Sequence, residues 1–305
     1  MATAQLTPAA VGIRNVLIAT DFSRCSTVAL DFGLELVKSY NATAWIVCVV
    51  PNDAYLLAGP EAFVAARDAA LRDLEQLRAE LKRRHTELSD RACQLYLLDG
   101  DVATAILDFA GKKEADLIVL GTHGRGGLGK ALLGSVAERV FRHSPVPVLT
   151  LGPCVSPGHH GGEIHNILAA ADFTPASQRA AQYAAALACA HNAKLTLLHV
   201  MDPGQLRHVP DRAAVEHGAE LRMAELLRRE SKGPECCIRI VAGQVTRTIL
   251  EVAGEESADL LVMGVRPSTG VLDRLVIPHA YEVVRDSPCP VLTLRATKSS
   301  RSTCN

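Results

Sequence analysis

The sequence predicts an α/β protein built from two tandem, doubly wound, five-stranded parallel sheets of Rossmann-like type, and three observations lead there. The chain has 305 residues, and at roughly 150 residues per domain that length suggests two domains. Within each half, short β-branched apolar runs alternate with longer amphipathic segments, the pattern of strand–helix–strand units whose right-handed crossovers pair strands in parallel. The chain also repeats itself: Gly100–Leu151 returns as Gly243–Leu294 at an offset of 143, with eleven of twenty-four positions identical between Asp99–Thr122 and Ala242–Val265. RNVLIATDFS (14–23) recurs as HNILAAADFT (165–174) at an offset of 151, so the length difference lies in the variable stretch after Val50. A period this long makes each copy a domain rather than a solenoid repeat. The expected domains are 1–153 and 163–297, followed by a disordered tail, 298–305, and joined through the Gly/Pro/His-rich GPCVSPGHHGGE (152–163).

In the first copy, turn residues bound expected strands at Asn15–Thr20, Ala44–Val50, Ala92–Leu98, Leu117–Gly121 and Val146–Leu151. Pro60 stands where a first-turn proline would, ahead of a segment in which Leu71, Leu74, Leu77 and Leu81 recur at helical spacing. The last strands carry Pro145 and Pro147 in one copy and Pro288 and Pro290 in the other. Proline cannot donate to a ladder, which places these segments at sheet edges or strand starts. Each continues as VLTL, an apolar run that would aggregate if left bare. Antiparallel pairing of the two last strands within the chain covers both.

Composition excludes several classes of function. Basic and acidic residues nearly cancel (32 against 33), and aromatics make up 4% with a single Trp45. Neither a polyanion-binding surface nor a base-stacking platform follows, so no nucleic-acid partner is expected. Nine cysteines without a CxxC pair read as small apolar fillers in a reducing compartment. No apolar run approaches membrane-spanning length and the first residues lack a cationic leader, so a soluble cytoplasmic protein without a membrane partner is expected. His159, His160, Glu163 and His165 have zinc- or nickel-binding chemistry but sit in the linker, without the fixed geometry a functional metal site needs.

In doubly wound sheets ligands bind beyond the carboxyl ends of the strands, at the topological switch point. After the fourth strand of the first copy comes GTHGRGGLGKALLGS (121–135), followed by a helical segment. So many glycines allow positive φ and convergent backbone N–H groups, which with a helix N-terminus make an anion cradle suited to phosphate. Gly124, Gly126 and Gly129 satisfy GxGxxG, but that fingerprint should follow the first strand and be answered by an acid about twenty residues on. Gly124–Lys130 satisfies GxxxxGK, but Ala131 stands where a magnesium-binding hydroxyl is required. Lys130 reads as a solvated charge.

What fits throughout is GxxGx9G(S/T), met by Gly121, Gly124, Gly134 and Ser135. With ATDFS after the first strand, VPVLTL as the last and the tandem layout, the chain resembles the universal stress protein family over nearly its whole length. The resemblance implies ATP as ligand, with or without magnesium, on a sheet of the adenine nucleotide alpha hydrolase type. Gly121, Gly124, Gly134 and Ser135 would then face phosphate and ribose, Asp21 would line the cleft near base and ribose, and the Val49 backbone would meet the adenine. Thr20 and Val136 complete the expected nucleotide-binding set. His123 and Arg125 lie inside the loop and could approach phosphate, Arg125 as a charge-assisted donor, with solvent exposure the equal alternative. Asp21 could equally be an N-cap for the helix beginning near Ser23.

The second copy has lost the motif: Pro267 replaces Gly124, and Ile277–Pro278 replace Gly134–Ser135. Asp172 remains at the position of Asp21, where an N-cap would explain it. The reading is one ATP-binding domain beside a degenerate copy kept for fold and contacts, a regulatory stress-response protein acting by ligand-dependent conformation. Its partners would be the nucleotide, the other half of the same chain, a second copy in a homodimer, and a protein the sequence does not name. No catalytic triad or carboxylate pair is readable, so no enzyme is expected. The alternatives are a slow ATPase or phosphoryl or nucleotidyl transferase on the same fold, and a nucleotide-free dimerisation module.

Overall fold

In the computed structural model the first half runs β1 (Asn15–Ala19), α1 (Arg24–Tyr40), β2 (Thr43–Pro51), α2 (Asp53–Arg84), β3 (Cys93–Gly100), α3 (Val102–Lys112), β4 (Leu117–Gly121), α4 (Ser135–His143) and β5 (Val148–Leu151). The second half runs β6 (Asn166–Ala170), α5 (Pro175–His191), β7 (Lys194–Met201), α6 (Pro203–Leu206), α7 (Arg212–Leu227), β8 (Cys236–Ala242), α8 (Val245–Glu255), β9 (Leu260–Val265), α9 (Pro278–Asp286) and β10 (Val291–Arg295). The structure describes residues 11–86, 92–124, 133–155, 163–206, 211–227, 235–265 and 278–296. The expected tail, 298–305, lies outside them.

The expected α/β architecture is present, but the two five-stranded sheets are joined into one of ten strands, ordered β3-β2-β1-β4-β5-β10-β9-β6-β7-β8. Neighbours within each half are parallel; β5 and β10 meet antiparallel, with Val291 opposite Thr150, Leu292 opposite Leu149 and Thr293 opposite Val148. Two buried threonines fasten this seam reciprocally: the Thr150 hydroxyl donates to the Val291 carbonyl at 3.1 Å, and the Thr293 hydroxyl to the Val148 carbonyl at 3.2 Å. The seam makes β5 and β10 interior strands. Pro147 and Pro290 each stand one residue before a strand, where the missing N–H costs nothing and the carbonyl still accepts, from Ile118 at 3.1 Å and Leu261 at 2.9 Å. The last strand of the first copy therefore begins at Val148 rather than at Val146.

Repeated residues hold repeated positions. The Asp116 carboxylate accepts from the backbone of Arg14 and Asn15, and the Asp259 carboxylate from that of His165 and Asn166, each fastening the first strand of a copy to the fourth. Elsewhere the copies diverge in chemistry at one position. Lys113, the C-cap of α3, holds its ammonium 4.1 Å from the centroid of the Trp45 ring and 4.9 Å from that of Tyr96. At the same place Glu256 is the C-cap of α8, and its carboxylate accepts from Thr196 at 2.8 Å and Arg239 at 2.9 Å.

In α2 the break lies at Gly59 (φ 84°), a backbone conformation that favours glycine, and Pro60 restarts the longer part of the helix. The helical turn from Asp53 comes before the start the sequence suggests. Leu74 and Leu81 are buried and Leu77 packs partly, whereas Leu71 is 42% exposed. At about 100° per residue, Leu74, Leu77 and Leu81 form one stripe and Leu71 falls beyond its edge. The core forms two layers: α1 and α5 cover one face of the sheet, and α3, α4, α8 and α9 the other.

Candidate functional site

β1 and β4 are parallel neighbours, and the strand order reverses between them, since β1 leads to β2 on one side and β3 crosses over to β4 on the other. Their carboxyl ends therefore open the crevice in which such sheets bind ligands. Thr20 leaves β1 buried, its N–H donating to the Val47 carbonyl on β2 at 2.9 Å. Its hydroxyl accepts from the Phe22 N–H at 3.1 Å and lies 3.2 Å from that of Ser26. This local bonding turns the chain sharply, with Phe22 at φ 61°, and presents Asp21 at the rim.

Asp21 does not cap α1. Ser23 is the N-cap, its hydroxyl accepting from Ser26, while the Asp21 carboxylate accepts the Ser23 N–H at 3.1 Å. The second copy repeats this, with Thr174 as the cap of α5 and Asp172 accepting from Thr174 at 3.0 Å. Both aspartates thus shape the turn before the cap, because an Asx turn needs the side chain two residues ahead of the bonded N–H.

Facing Asp21 is the end of β4. A Cβ on Gly124 would stand 2.7 Å from Asp21 Oδ2, so glycine lets the loop backbone lie against the carboxylate. A Cβ on Gly121 would meet the Cys25 carbonyl carbon and the Ser26 nitrogen, each at 2.7 Å, and one on Gly134 would meet the Thr122 carbonyl oxygen at 2.7 Å. None of these three adopts positive φ; among the described glycines only Gly59 and Gly100 do. Close approach to other backbone, and not left-handed conformation, is what requires glycine at positions 121 and 134, whereas at 124 the neighbour is a carboxylate side chain.

Two residues that sequence reasoning missed hold the loop. The Ser23 hydroxyl donates to the His123 carbonyl at 3.0 Å, and the buried Thr122 places its hydroxyl 2.9 Å from His123 Nδ1. Thr122 is flanked by motif residues, which could have flagged it; Ser23 belongs to the repeated ATDFS segment. Below them Cys25 lies in the first turn of α1, and burial, the largest influence, pushes its thiol pKa up. It is therefore not an activated thiolate.

α4 closes the site. Gly134 is its N-cap and provides no side-chain cap, whereas Ser23 caps α1 and Asp101 caps α3. Among the described residues nothing accepts from the first amides of α4, at Ser135 and Val136. Val136 packs partly on the core. Two contacts fix this helix start: the Gly134 N–H donates to the Thr122 carbonyl at 2.7 Å, and Arg139 grips the α3 cap Asp101 through bonds of 2.7 and 2.9 Å. Arg139 and the Thr104 donors hold the Asp101 carboxyl well below the usual carboxylate range. Val49 lies near the carboxyl end of β2, opposite Leu98. Arg125 lies outside the described residues, as do the second copy's Pro267 and Ile277; Pro278 opens α9 where Ser135 opens α4. Among the described residues no group of three or more His, Cys, Asp or Glu is placed to hold a metal, and His159 and His160 lie outside them. No described helix is long and apolar enough to cross a membrane.

Comparison with known proteins gives a consistent result. The model of the universal stress protein family matches residues 12–151 and again 163–295. A universal stress protein of Methanocaldococcus jannaschii is 32% identical over 138 residues, 45% of this chain and 81% of that protein. One of Mycolicibacterium smegmatis is 24% identical over 295 residues, 92% of this chain and 96% of that one. The crystal structure of a universal stress protein from Archaeoglobus fulgidus superposes with a TM-score of 0.73 at 22% identity, covering 94% of this chain and 98% of its own.

Proposed function

Because the chain belongs to the universal stress protein family, we propose that its first half binds one adenine nucleotide, ATP or its magnesium complex, and that the protein acts in the cytoplasm by ligand-dependent conformation rather than turnover. The domains are 1–153 and 163–297, and the second binds no nucleotide at the corresponding place. The observation that carries this reading is the bare start of α4 at the switch point, beside capped α1 and α3. A helix N-terminus whose first amides have no acceptor among the described residues is suited to phosphate.

In this reading the backbone of Gly124, Ser135 and Val136 holds phosphate oxygens, with His123 and Arg125 beside them; Gly134, whose N–H is held by the Thr122 carbonyl, faces phosphate and ribose without a side chain, and Gly121 lets the strand end close on α1. Asp21 accepts from a ribose hydroxyl, an acceptor-only role that an ionised carboxylate performs well. Thr20 and the Val49 backbone border the adenine. The second half has proline and isoleucine at the aligned positions, which remove a donor and fill the approach.

Calorimetric titration of ATP into the full chain tests the proposal. One site per chain is expected, with Gly124→Pro abolishing binding and leaving the thermal transition in place. Two equivalent sites, or unchanged affinity in the variant, would overturn it. Calorimetry suits the purpose better than fluorescence, since Trp45 lies toward the opposite end of β2 from Val49. Phosphate release above the uncatalysed background would favour a slow ATPase instead, and native mass spectrometry would report co-purified nucleotide together with subunit number.

A further inference from the structure

The second half of the chain reaches the first at the closing end of the glycine loop. The Leu133 N–H, one residue before Gly134, donates to the Tyr281 hydroxyl of α9 at 2.9 Å. Leu133 is buried, and the next N–H, that of Gly134, donates to the Thr122 carbonyl at 2.7 Å. Two successive amides therefore tie the start of α4 to the other half on one side and to the end of β4 on the other. α9 is itself held close to the first half: a Cβ on Gly152, one residue beyond β5, would stand 3.2 Å from the Arg285 carbonyl oxygen and 3.3 Å from that of Val284.

The arrangement is not symmetric. The position of Tyr281 in the first copy is taken by Glu138, whose carboxylate pairs with Arg142 of its own helix at 2.8 Å. The phenol is thus a feature of the half without the glycine motif, directed at the half that has it. A buried amide deprived of its acceptor carries a desolvation penalty, so without the phenol the Leu133–Gly134 backbone would move toward another partner.

We infer that Tyr281 is a positioning residue for the nucleotide loop: the second half sets the start of α4 in its binding geometry, and the affinity of the first half for nucleotide depends on that contact. The affinity part of this inference rests on the nucleotide-binding reading above. The bracing part does not. Losing one ordinary hydrogen bond lowers the ratio of seated to displaced loop start by about tenfold, and apparent affinity falls by at most that factor, as far as the displaced state becomes populated.

Tyr281→Phe in the full chain removes the acceptor and keeps the ring. Without nucleotide, hydrogen exchange should quicken not only at the Leu133 amide, which loses its partner, but also at Gly134, by about tenfold. In calorimetry the ATP dissociation constant should rise, by at most about tenfold, while the melting temperature stays close to that of the parent. Unchanged exchange at Gly134 would overturn the bracing role. Faster exchange with unchanged ATP affinity would overturn the coupling. If the parent chain binds no ATP, the nucleotide reading fails on that result, and the exchange at Gly134 still decides whether the second half positions the loop.

Discussion

Gly121 lies directly under the first turn of α1, where a Cβ would stand 2.7 Å from the Ser26 nitrogen; Gly264 repeats the relationship, 2.3 Å from the nitrogen of Ser177. The atoms met are backbone, which cannot rotate away. Both Gly121→Ala and Gly264→Ala should therefore destabilise the fold, by about 1–3 kcal/mol as overpacking does. Denaturant titration of the two variants checks this, and a Gly264→Ala chain as stable as the parent would show that the helix can lift away freely.

Asp21 and Asp172 make the same turn-forming bond to the residue two ahead, at 3.1 and 3.0 Å. Replacing Asp21 by alanine should cost about 1 kcal/mol, the usual net worth of such a bond, and replacing Asp172 more, because its carboxylate also accepts from the Thr174 hydroxyl at 2.6 Å. Only Asp21→Ala should also weaken ATP binding. A stability loss with no change in affinity would reduce Asp21 to its local structural role.

Leu149 is 2% exposed and sits opposite Leu292 in the seam between the halves. Leu149→Lys would bury an ammonium with no carboxylate supplied for it, so the full chain should lose more than about 3 kcal/mol in a denaturant titration. The first half expressed alone (1–152) should associate through its freed β5, and the same substitution should make it monomeric in light scattering. A parent half that stays monomeric at high concentration would contradict this.

Tyr40 and His191 join the C-terminal ends of α1 and α5 across the two halves, with the phenol oxygen 2.8 Å from Nε2. Burial pushes the Tyr40 hydroxyl up to about 12 and holds the His191 imidazole below its ordinary 6.5. At neutral pH the pair is therefore a neutral phenol bonded to an uncharged ring. A folded-state pKa below the unfolded value means that the unfolded chain takes up protons first as pH falls, so stability is present above pH 6.5 and declines as the pH drops below it. Thermal melts of His191→Gln between pH of about 7.5 and 5.5 should show a shallower decline than the parent. Identical slopes would place the acid sensitivity elsewhere.

Much of the architecture is legible in the chain alone because it rests on local pattern. The alternation of apolar runs and amphipathic segments and the proline-led VLTL strands act within a few residues, the repeat at an offset of 143 carries them into both halves, and together they lead to paired α/β halves joined at their last strands. GxxGx9G(S/T) likewise marks the loop, since glycine spacing survives in sequence whatever surrounds it.

Only the tertiary structure decided why those glycines are needed. Gly121 answers to α1 and Gly134 to Thr122 through approach of backbone to backbone, Gly124 to the Asp21 side chain, and none through positive φ. The same holds for Ser23 taking the cap that Asp21 could have filled, and for Leu71 falling outside the buried stripe. The contact of Leu133 with Tyr281, 148 residues away, had no signal in sequence at all. Local composition determines which elements form, whereas a tyrosine's partner depends on how two separately patterned halves dock, and no short-range periodicity encodes that.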